Sequence, residues 1–171
     1  MKDVADLFWD AVRPLHAESI VDVGTGRNGV VGLHNWDKFL GRKIAVDIHA
    51  IKDLPAGWES LIMDARGLLS RLGPKSVDIV QACDFIEHLP KEESCRILSD
   101  FETMARKAVL LFTPIGFTHS PAEDSEPDNP YQRHLCGWTY DELEALGYIT
   151  GRGDSENVWR DTAIVAWKVL S

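Results

Sequence analysis

The sequence predicts an α/β fold in which a mostly parallel sheet carries helices on both faces. Short apolar runs alternate with amphipathic segments through the first two thirds of the chain. This alternation is typical of parallel strands joined by helical crossovers. Four of the runs end at or just before an acid, and these acids are Asp22, Asp47, Asp64 and Asp84. Because ligands bind at the carboxyl ends of such strands, we expect the four acids to line one site.

Local patterns define the individual elements. Helices are predicted where apolar residues recur at helical spacing, where proline precedes acids in a first turn, and where a capping box occurs. The predicted helices span residues 3–17, about Val30–Phe39, about Pro90–Arg106, and a stretch from the Thr139–Glu142 capping box to Gly147. The predicted strands are Ser19–Val23, Lys43–Ile48, Trp58–Met63, Ser76–Ala82, Ala108–Phe112, Tyr148–Gly151 and Thr162–Val169.

Residues 114–137 differ from the rest of the chain because they hold four prolines and a group of acids. This composition predicts a long irregular loop, and such loops in compact domains usually carry function. The acids within 123–128 suit a solvated face better than a metal site. We therefore expect one domain over residues 1–171, in which residues 114–138 form a substrate or lid loop.

Length and charge limit the classes of function. The 171 residues suffice for one domain with a substantial core. The formal net charge is −9 without a basic stripe, which disfavours nucleic acid as the main partner. The N-terminus is polar, and no apolar run approaches the ~20 residues of a membrane span, so neither a signal peptide nor a span is predicted. The three cysteines form no CxxC motif, which predicts neither a disulfide framework nor a Cys-rich zinc site. We therefore expect a cytoplasmic protein.

The most informative stretch runs from Ile20 to Gly29, an apolar strand followed by a glycine-rich turn. The spacing of Gly24, Gly26 and Gly29 fits the dinucleotide-binding fingerprint, although that match alone is weak. Asp22 precedes the turn, and Asp47 ends the next apolar run. Two carboxylates suit a nucleoside ligand that carries an amine and a ribose better than a pyrophosphate, which they would repel.

The order of motifs resembles that of the class I S-adenosylmethionine-dependent methyltransferases over nearly the whole chain. The matching segments are Val21–Gly26, Val46–Ile48, Met63–Ala65, Val77–Val80, Asp84–Leu89 and Ala108–Pro114. The run Glu87-His88-Leu89 is common in one large branch of that family. The resemblance implies a Rossmann-like, doubly wound sheet of seven strands, with a C-terminal antiparallel hairpin over residues 148–170.

The resemblance also implies that S-adenosylmethionine is the cofactor. Asp22 would face its amine, Asp47 its ribose hydroxyls, and the backbone at Gly24 and Gly26 its methionine part, while the adenine would lie beyond strands two and three. Gly29 would replace the family's third glycine, because position 28 is asparagine. The expected cofactor-binding residues are Asp22, Gly24, Gly26, Gly29, Asp47, Ile48, Asp64, Ala65 and Asp84.

Methyl transfer depends mainly on alignment, because the sulfonium is already an activated donor. A general base is needed only where the acceptor must lose a proton, and the candidates are His88 and His134. His88 follows the fourth strand at the lip of the expected site, but it equally suits a residue that bonds backbone at a helix start. His134 lies in an aromatic and polar stretch that suits substrate contact. The alternative there is a loop that folds back and packs Trp138 on the core.

Three further residues are expected to bind the acceptor: Glu87, Tyr131 and Trp138. Glu87 could equally cap the helix that follows it. No spacing in the sequence argues for a magnesium site of the catechol-methyltransferase type, so no metal is expected.

The predicted function is therefore methyl transfer from S-adenosylmethionine to a small-molecule or glycan-like acceptor. The glycan interpretation comes from residues 113–138, which look like bacterial methyltransferases often associated with polysaccharide and envelope synthesis. A homodimer or a partner subunit could complete the acceptor site, since only one short helix precedes the first strand.

Two other functions stay open at this stage. The glycine spacing and Asp47 also suit a nicotinamide-dependent oxidoreductase, but the chain has no Tyr-x-x-x-Lys pair and no room for a substrate domain. A non-catalytic nucleoside-binding scaffold is the third interpretation. A scaffold that serves only to hold a partner would have no need of Asp22, Asp47 and Asp64.

Overall fold

The computed structural model describes residues 1–26, 36, 39–52, 54–120 and 129–171. Within these residues one sheet contains the strands β1 (Ser19–Val23), β2 (Arg42–Asp47), β3 (Trp58–Ile62), β4 (Val77–Cys83), β5 (Ala105–Pro114), β6 (Ile149–Thr150) and β7 (Ala163–Val169). The described α-helices are α1 (Val4–Val12), α2 (Leu68–Leu72), α3 (Lys91–Met104) and α4 (Tyr140–Ala145). Gly29, the acids within 123–128 and nearly all of the helix predicted at Val30–Phe39 lie outside the described residues.

The strand order is β3-β2-β1-β4-β5-β7-β6. Strands β1 to β5 pair in parallel, whereas β7 runs antiparallel between β5 and β6. The chain winds from β1 towards β3 on one side and from β4 outward on the other. The direction of winding therefore reverses between β1 and β4. This architecture confirms the predicted Rossmann-like sheet and its C-terminal antiparallel pair.

Both faces of the sheet are buried, which is why its central strands are nearly continuous apolar runs. Successive residues of β1 point to opposite faces. Val21 and Val23 join a core with Ile97 and Phe101 of α3, whereas Ile20 joins a second core with the residues of α1. Asp22 alternates with Val21 and Val23 and so belongs to the α1 side of the sheet.

Two predicted boundaries were wrong where α3 meets β5. The helix was expected to reach Arg106 and the strand to begin at Ala108, but α3 ends at Met104 and β5 begins at Ala105. Ala105 pairs with Val77 of β4, and the Arg106 guanidinium donates to the buried Asp78 carboxylate at 2.7 Å. Because of these contacts, Ala105 and Arg106 belong to β5, although the apolar pattern alone predicted that the helix continues there.

The helix starts follow the predicted capping chemistry. Thr139 and Glu142 form the expected capping box at α4, and the chain leaves that helix through Gly147, whose φ is 88°. Helix α1 has a second capping box, formed by Asp3 and Asp6, and gives way to a 3₁₀ turn after Val12 instead of continuing to residue 17. None of the described helices combines the length and the apolar character that a membrane crossing requires.

The stretch 134–138 packs closely against the exit of β5. The Gly116 amide donates to the Trp138 carbonyl at 2.7 Å. Gly137 lies so close to this strand exit that a Cβ there would stand 2.3 Å from the Gly116 carbonyl carbon and the Phe117 nitrogen. Backbone atoms cannot move aside as a flexible side chain can, so this position requires glycine.

We predict that Gly137→Ala lowers the free energy of unfolding by about 1–3 kcal/mol, because the added methyl group overpacks a backbone contact. Urea denaturation monitored by circular dichroism measures the change. Gly153→Ala is the matched control, since a Cβ at Gly153 meets no heavy atom of the described residues within 4 Å. This substitution should alter stability by less than about 0.5 kcal/mol. Equal effects of the two substitutions would contradict the close approach.

Candidate functional site

A buried polar network lies at the point where the winding reverses. Asp22 on β1 is 2% exposed, and its two carboxylate oxygens accept hydrogen bonds from Gln81 Nε2 at 2.7 Å and Thr25 Oγ1 at 2.8 Å. Gln81 lies opposite Asp22 on β4 and accepts in turn from the Trp36 indole at 2.7 Å. Burial raises the pKa of Asp22 to about 6, although both hydrogen bonds oppose the shift. The carboxylate is thus incompletely compensated for its loss of water.

The glycine turn follows directly. Gly24 and Gly26 have φ values of 75° and 81°, which residues with side chains rarely adopt. A Cβ on Gly24 would also stand 2.4 Å from the Phe85 ring, whereas one on Gly26 would meet no heavy atom of the described residues within 4 Å. The Asp47 carboxylate holds the turn, because it accepts from the Gly26 amide at 2.8 Å and from the His49 amide at 2.8 Å.

The exit of β3 brings Asp64 and Ala65 to the same edge. Asp64 caps a 3₁₀ turn that begins at Ala65, and it accepts from the Arg66 amide at 2.9 Å and the Arg66 guanidinium at 2.7 Å. Arg66 also pairs with Glu93 at the start of α3. Asp64 therefore stabilises the local turn, and it also lies at the carboxyl edge of the sheet, as predicted. Ile48 follows β2 and is half-buried.

The exit of β4 carries Asp84 and Glu87. Asp84 is exposed and takes a left-handed φ of 47°, which is uncommon for a residue other than glycine. Glu87 is 1% exposed, and its Oε2 accepts from the Thr113 hydroxyl at 2.9 Å. Its Oε1 is buried and accepts no hydrogen bond from the other described residues. Burial and, secondly, the charge of Asp84 raise the pKa of Glu87 to about 8.

The two candidate histidines lie together beside Glu87. The rings of His88 and His134 meet edge to face, with centroids 4.8 Å apart. His88 Nδ1 lies 3.1 Å from the Arg133 carbonyl oxygen, and His134 Nδ1 lies 2.7 Å from that of Thr118. The bond from His88 to backbone supports the structural alternative for this residue, yet the ring still belongs to the cluster at the site.

Tyr131 and Trp138 have different surroundings. Tyr131 is 47% exposed and contacts the ring of His49, which places it beside the end of β2. Trp138 is 1% exposed in the core, and Lys91 Nζ lies 3.6 Å from its ring centroid. The expectation that Trp138 touches the acceptor is therefore corrected, because the chain folds back and packs this side chain inside. Lys91 also donates to the Gly137 carbonyl at 2.6 Å, which holds the segment in place.

Several residues of the site were not predicted. Gln81 and Thr25 each donate one hydrogen bond to the Asp22 carboxylate, Thr113 donates one to Glu87, and Phe85 lies beside Gly24. A glutamine in the middle of the apolar run Val77–Cys83 is a signal that could have identified Gln81. Thr113 and Phe85 follow apolar runs without a distinguishing pattern.

Solved structures of methyltransferases share this fold at low sequence identity. Magnesium protoporphyrin IX methyltransferase (ChlM) from Synechocystis PCC 6803 with bound SAH is 15% identical, with a TM-score of 0.61 over 96% of this chain and 80% of that chain. The N-terminal domain of EvdMO1 in the presence of SAH and D-fucose is 16% identical, with a TM-score of 0.68 over 100% and 84%. A SAM-dependent methyltransferase from Archaeoglobus fulgidus is 20% identical, with a TM-score of 0.57 over 96% and 94%.

No protein-family model and no curated protein matches the sequence. The structural likeness shows that the chain has the Rossmann-like fold of S-adenosylmethionine-dependent methyltransferases. The predicted sheet and the strand ends that carry the acids belong to that fold.

We predict that Asp22 gives unfolding a pH dependence that Asp22→Asn removes. Because the folded-state pKa of about 6 exceeds the ordinary value of 3.8, the stabilisation is complete below pH 3.8 and is lost as the pH rises through 6. Between pH 4 and pH 7 the free energy of unfolding of the parent should therefore fall by up to about 3 kcal/mol relative to that of the variant. Urea denaturation of both proteins across that range gives the difference. A difference that stays constant with pH would contradict the raised pKa.

Proposed function

We propose that this protein is an S-adenosylmethionine-dependent methyltransferase that acts on a small-molecule acceptor. One observation carries the proposal. A buried, incompletely compensated carboxylate, a glycine turn with positive φ and a second carboxylate adjoin at the point where the winding reverses. Ligands bind at that point in open α/β sheets. The solved neighbours ChlM and EvdMO1, which have this fold, bind SAH.

The residues present fit the cofactor. Asp22 lies where an amine would relieve its unfavourable burial, because a cation beside the carboxylate stabilises the charged form. The Asp47 carboxylate accepts two amide hydrogens and keeps further lone pairs, to which ribose hydroxyls would donate. Within the described residues, the space next to Gly26 is open to a ligand. Ile48, Asp64 and Ala65 would contact the adenine.

The bound cofactor would supply an activated methyl group on its sulfonium. The chain would supply alignment, since holding donor and acceptor in line lowers the barrier without covalent help from the protein. Asp84 would border the cofactor after β4. Glu87 and Tyr131 would line the acceptor side of the site. His88 and His134 would hold or deprotonate the acceptor there.

Exposed apolar side chains support an acceptor or partner surface at the lip of the site. Phe117 is 70% exposed, Leu135 48% and Tyr131 47%, and all three flank the segments that hold His134. A glycan-like acceptor agrees with such exposed rings, and the structure of EvdMO1 was solved in the presence of D-fucose. A second copy of the chain or a partner subunit that covers these side chains would enclose the acceptor.

Isothermal titration with S-adenosylhomocysteine tests the cofactor site. We expect micromolar binding by the parent, no binding of NADH, and affinity reduced at least about tenfold by Asp47→Ala. The reduction follows because a hydrogen bond to a charged group contributes about 1.5–3 kcal/mol. Thermal melting checks that the variant folds.

Glu59→Ala serves as the control, because Glu59 pairs with Arg42 in an exposed ion pair on the neighbouring strands. Its affinity for S-adenosylhomocysteine should match that of the parent. Unchanged affinity after Asp47→Ala would disprove the ribose contact. A folded parent chain that does not bind S-adenosylhomocysteine would disprove the proposed function.

A further inference from the structure

Glu87, His88 and His134 offer one potential metal-ligating atom each, and these atoms all lie within 4.8 Å of one another. Glu87 and His88 belong to the 3₁₀ turn after β4, whereas His134 comes from the segment beyond β5. The fold thus brings together two imidazoles and a carboxylate that are remote in sequence.

The hydrogen bonds of the two rings fix their tautomers. A backbone carbonyl only accepts, so the nitrogen that bonds it must carry the proton. Nδ1 of His88 and Nδ1 of His134 each bond a backbone carbonyl, those of Arg133 and Thr118. In each neutral ring Nε2 therefore carries the lone pair. Metal-ligating histidines are held in this way, with one ring nitrogen donating to a carbonyl or carboxylate and the other facing the ion.

Glu87 supplies an independent observation. Its side chain is almost completely buried, yet among the described residues only the Thr113 hydroxyl donates to it, at Oε2. The other side chain within reach is the Asp84 carboxylate, which cannot donate to Oε1 while it is charged. Leaving a buried carboxylate oxygen unpaired is unfavourable, and a coordinated cation would satisfy it. The Glu87 backbone carbonyl accepts from the Leu135 and Cys136 amides, which fixes the carboxylate beside the segment of His134.

We propose that Glu87, His88 and His134 bind one divalent transition-metal ion. Two imidazoles and one carboxylate match the ligands of catalytic zinc and of related open metal sites, whereas Mg²⁺ and Ca²⁺ prefer oxygen ligands alone. Zinc–ligand bonds of about 2.0–2.2 Å would require the three ligand atoms to approach one another through small side-chain rotations. Three protein ligands leave a coordination position open.

The site adjoins the glycine turn. Phe85 touches Gly24 and immediately precedes the 3₁₀ turn that carries Glu87 and His88. If the proposed function holds, the open position would take the acceptor, which would then be a hydroxyl compound whose oxygen the ion binds. Binding lowers the pKa of that hydroxyl. Its proton leaves to water, the oxygen bonds the methyl carbon, and the carbon–sulfur electron pair returns to sulfur.

This inference replaces the expectation that no metal is bound, and it makes the two histidines ligands instead of free bases. No local spacing predicts the site, because α3, β5 and the segment after β5 separate the second histidine from the Glu-His pair. Only the folded chain brings the three side chains together.

The test is a titration of the full chain with ZnCl₂ after treatment with EDTA, in the absence of cofactor. We expect one Zn²⁺ per chain, with much weaker binding of Mg²⁺. Glu87→Gln and His134→Ala should each reduce the zinc affinity at least about 100-fold. Losing a residue that only supports a metal ligand can already reduce the affinity by about 100-fold, and losing the ligand itself should have at least that effect. Glu87→Gln keeps the size of the side chain and an acceptor for Thr113, and His134→Ala tests the site independently if Glu87→Gln fails to fold.

His16→Asn is the matched control, because His16 is exposed outside this cluster and asparagine tolerates its left-handed φ of 49°. Its zinc affinity should equal that of the parent. Absence of stoichiometric zinc binding, or equal affinity in parent, Glu87→Gln and His134→Ala, would overturn the metal site. A parallel titration with S-adenosylhomocysteine separates the two proposals. If the chain binds S-adenosylhomocysteine but no zinc, only the metal site is disproved. If it binds zinc but no S-adenosylhomocysteine, only the methyltransferase function is disproved.

Discussion

A buried hydrogen bond between Asp22 and Gln81 joins β1 to β4 where the sheet reverses its winding. Thr25 and Trp36 extend this bond into a network that reaches from the glycine turn into the α1 side of the core. Two donors offset part of the unfavourable burial of the carboxylate, and the raised pKa of Asp22 indicates that the remainder persists. Packing alone would favour an apolar residue here, as at the neighbouring positions of β1. A strongly perturbed carboxyl group at a strand end is instead typical of a functional site.

Glu87 has a corresponding position at the exit of β4. Its side chain accepts from Thr113 at the end of β5, and its backbone carbonyl accepts from Leu135 and Cys136. One residue therefore ties the exits of β4 and β5 to the segment of His134. The Gly116 amide and Lys91 bind the same segment from two further directions. Hydrogen bonds thus hold the described part of the predicted loop against one side of the site. These bonds also determine where the two histidine rings lie.

The strands and the site were predictable to different degrees. Strands with both faces buried give long apolar runs, so β1 was predicted at its observed limits and β2 within one residue. Helix α2 has only five residues, too few for a helical period to appear in the sequence. Arg106 entered β5 because of a buried partner on β4, which no local pattern reveals. The acids at the strand ends followed from the sheet, whereas the pairing of His88 with His134 depends on contacts between segments far apart in sequence.

The hydrogen bond from the Gly26 amide to Asp47 also separates the two nucleotide interpretations of the turn. In dinucleotide-binding folds, amides of the glycine turn and the following helix point at the pyrophosphate. Here the turn amide donates to a carboxylate, and a second carboxylate, Asp22, lies beside the same turn. A pyrophosphate would have to compete for that amide and approach two negative groups, of which Asp22 is buried from water, where repulsion is stronger than in bulk solvent. A ligand with a cationic amine and ribose hydroxyls meets complementary groups at both carboxylates instead. The glycine spacing alone fits both ligands, and the placement of the acids favours the nucleoside with an amine.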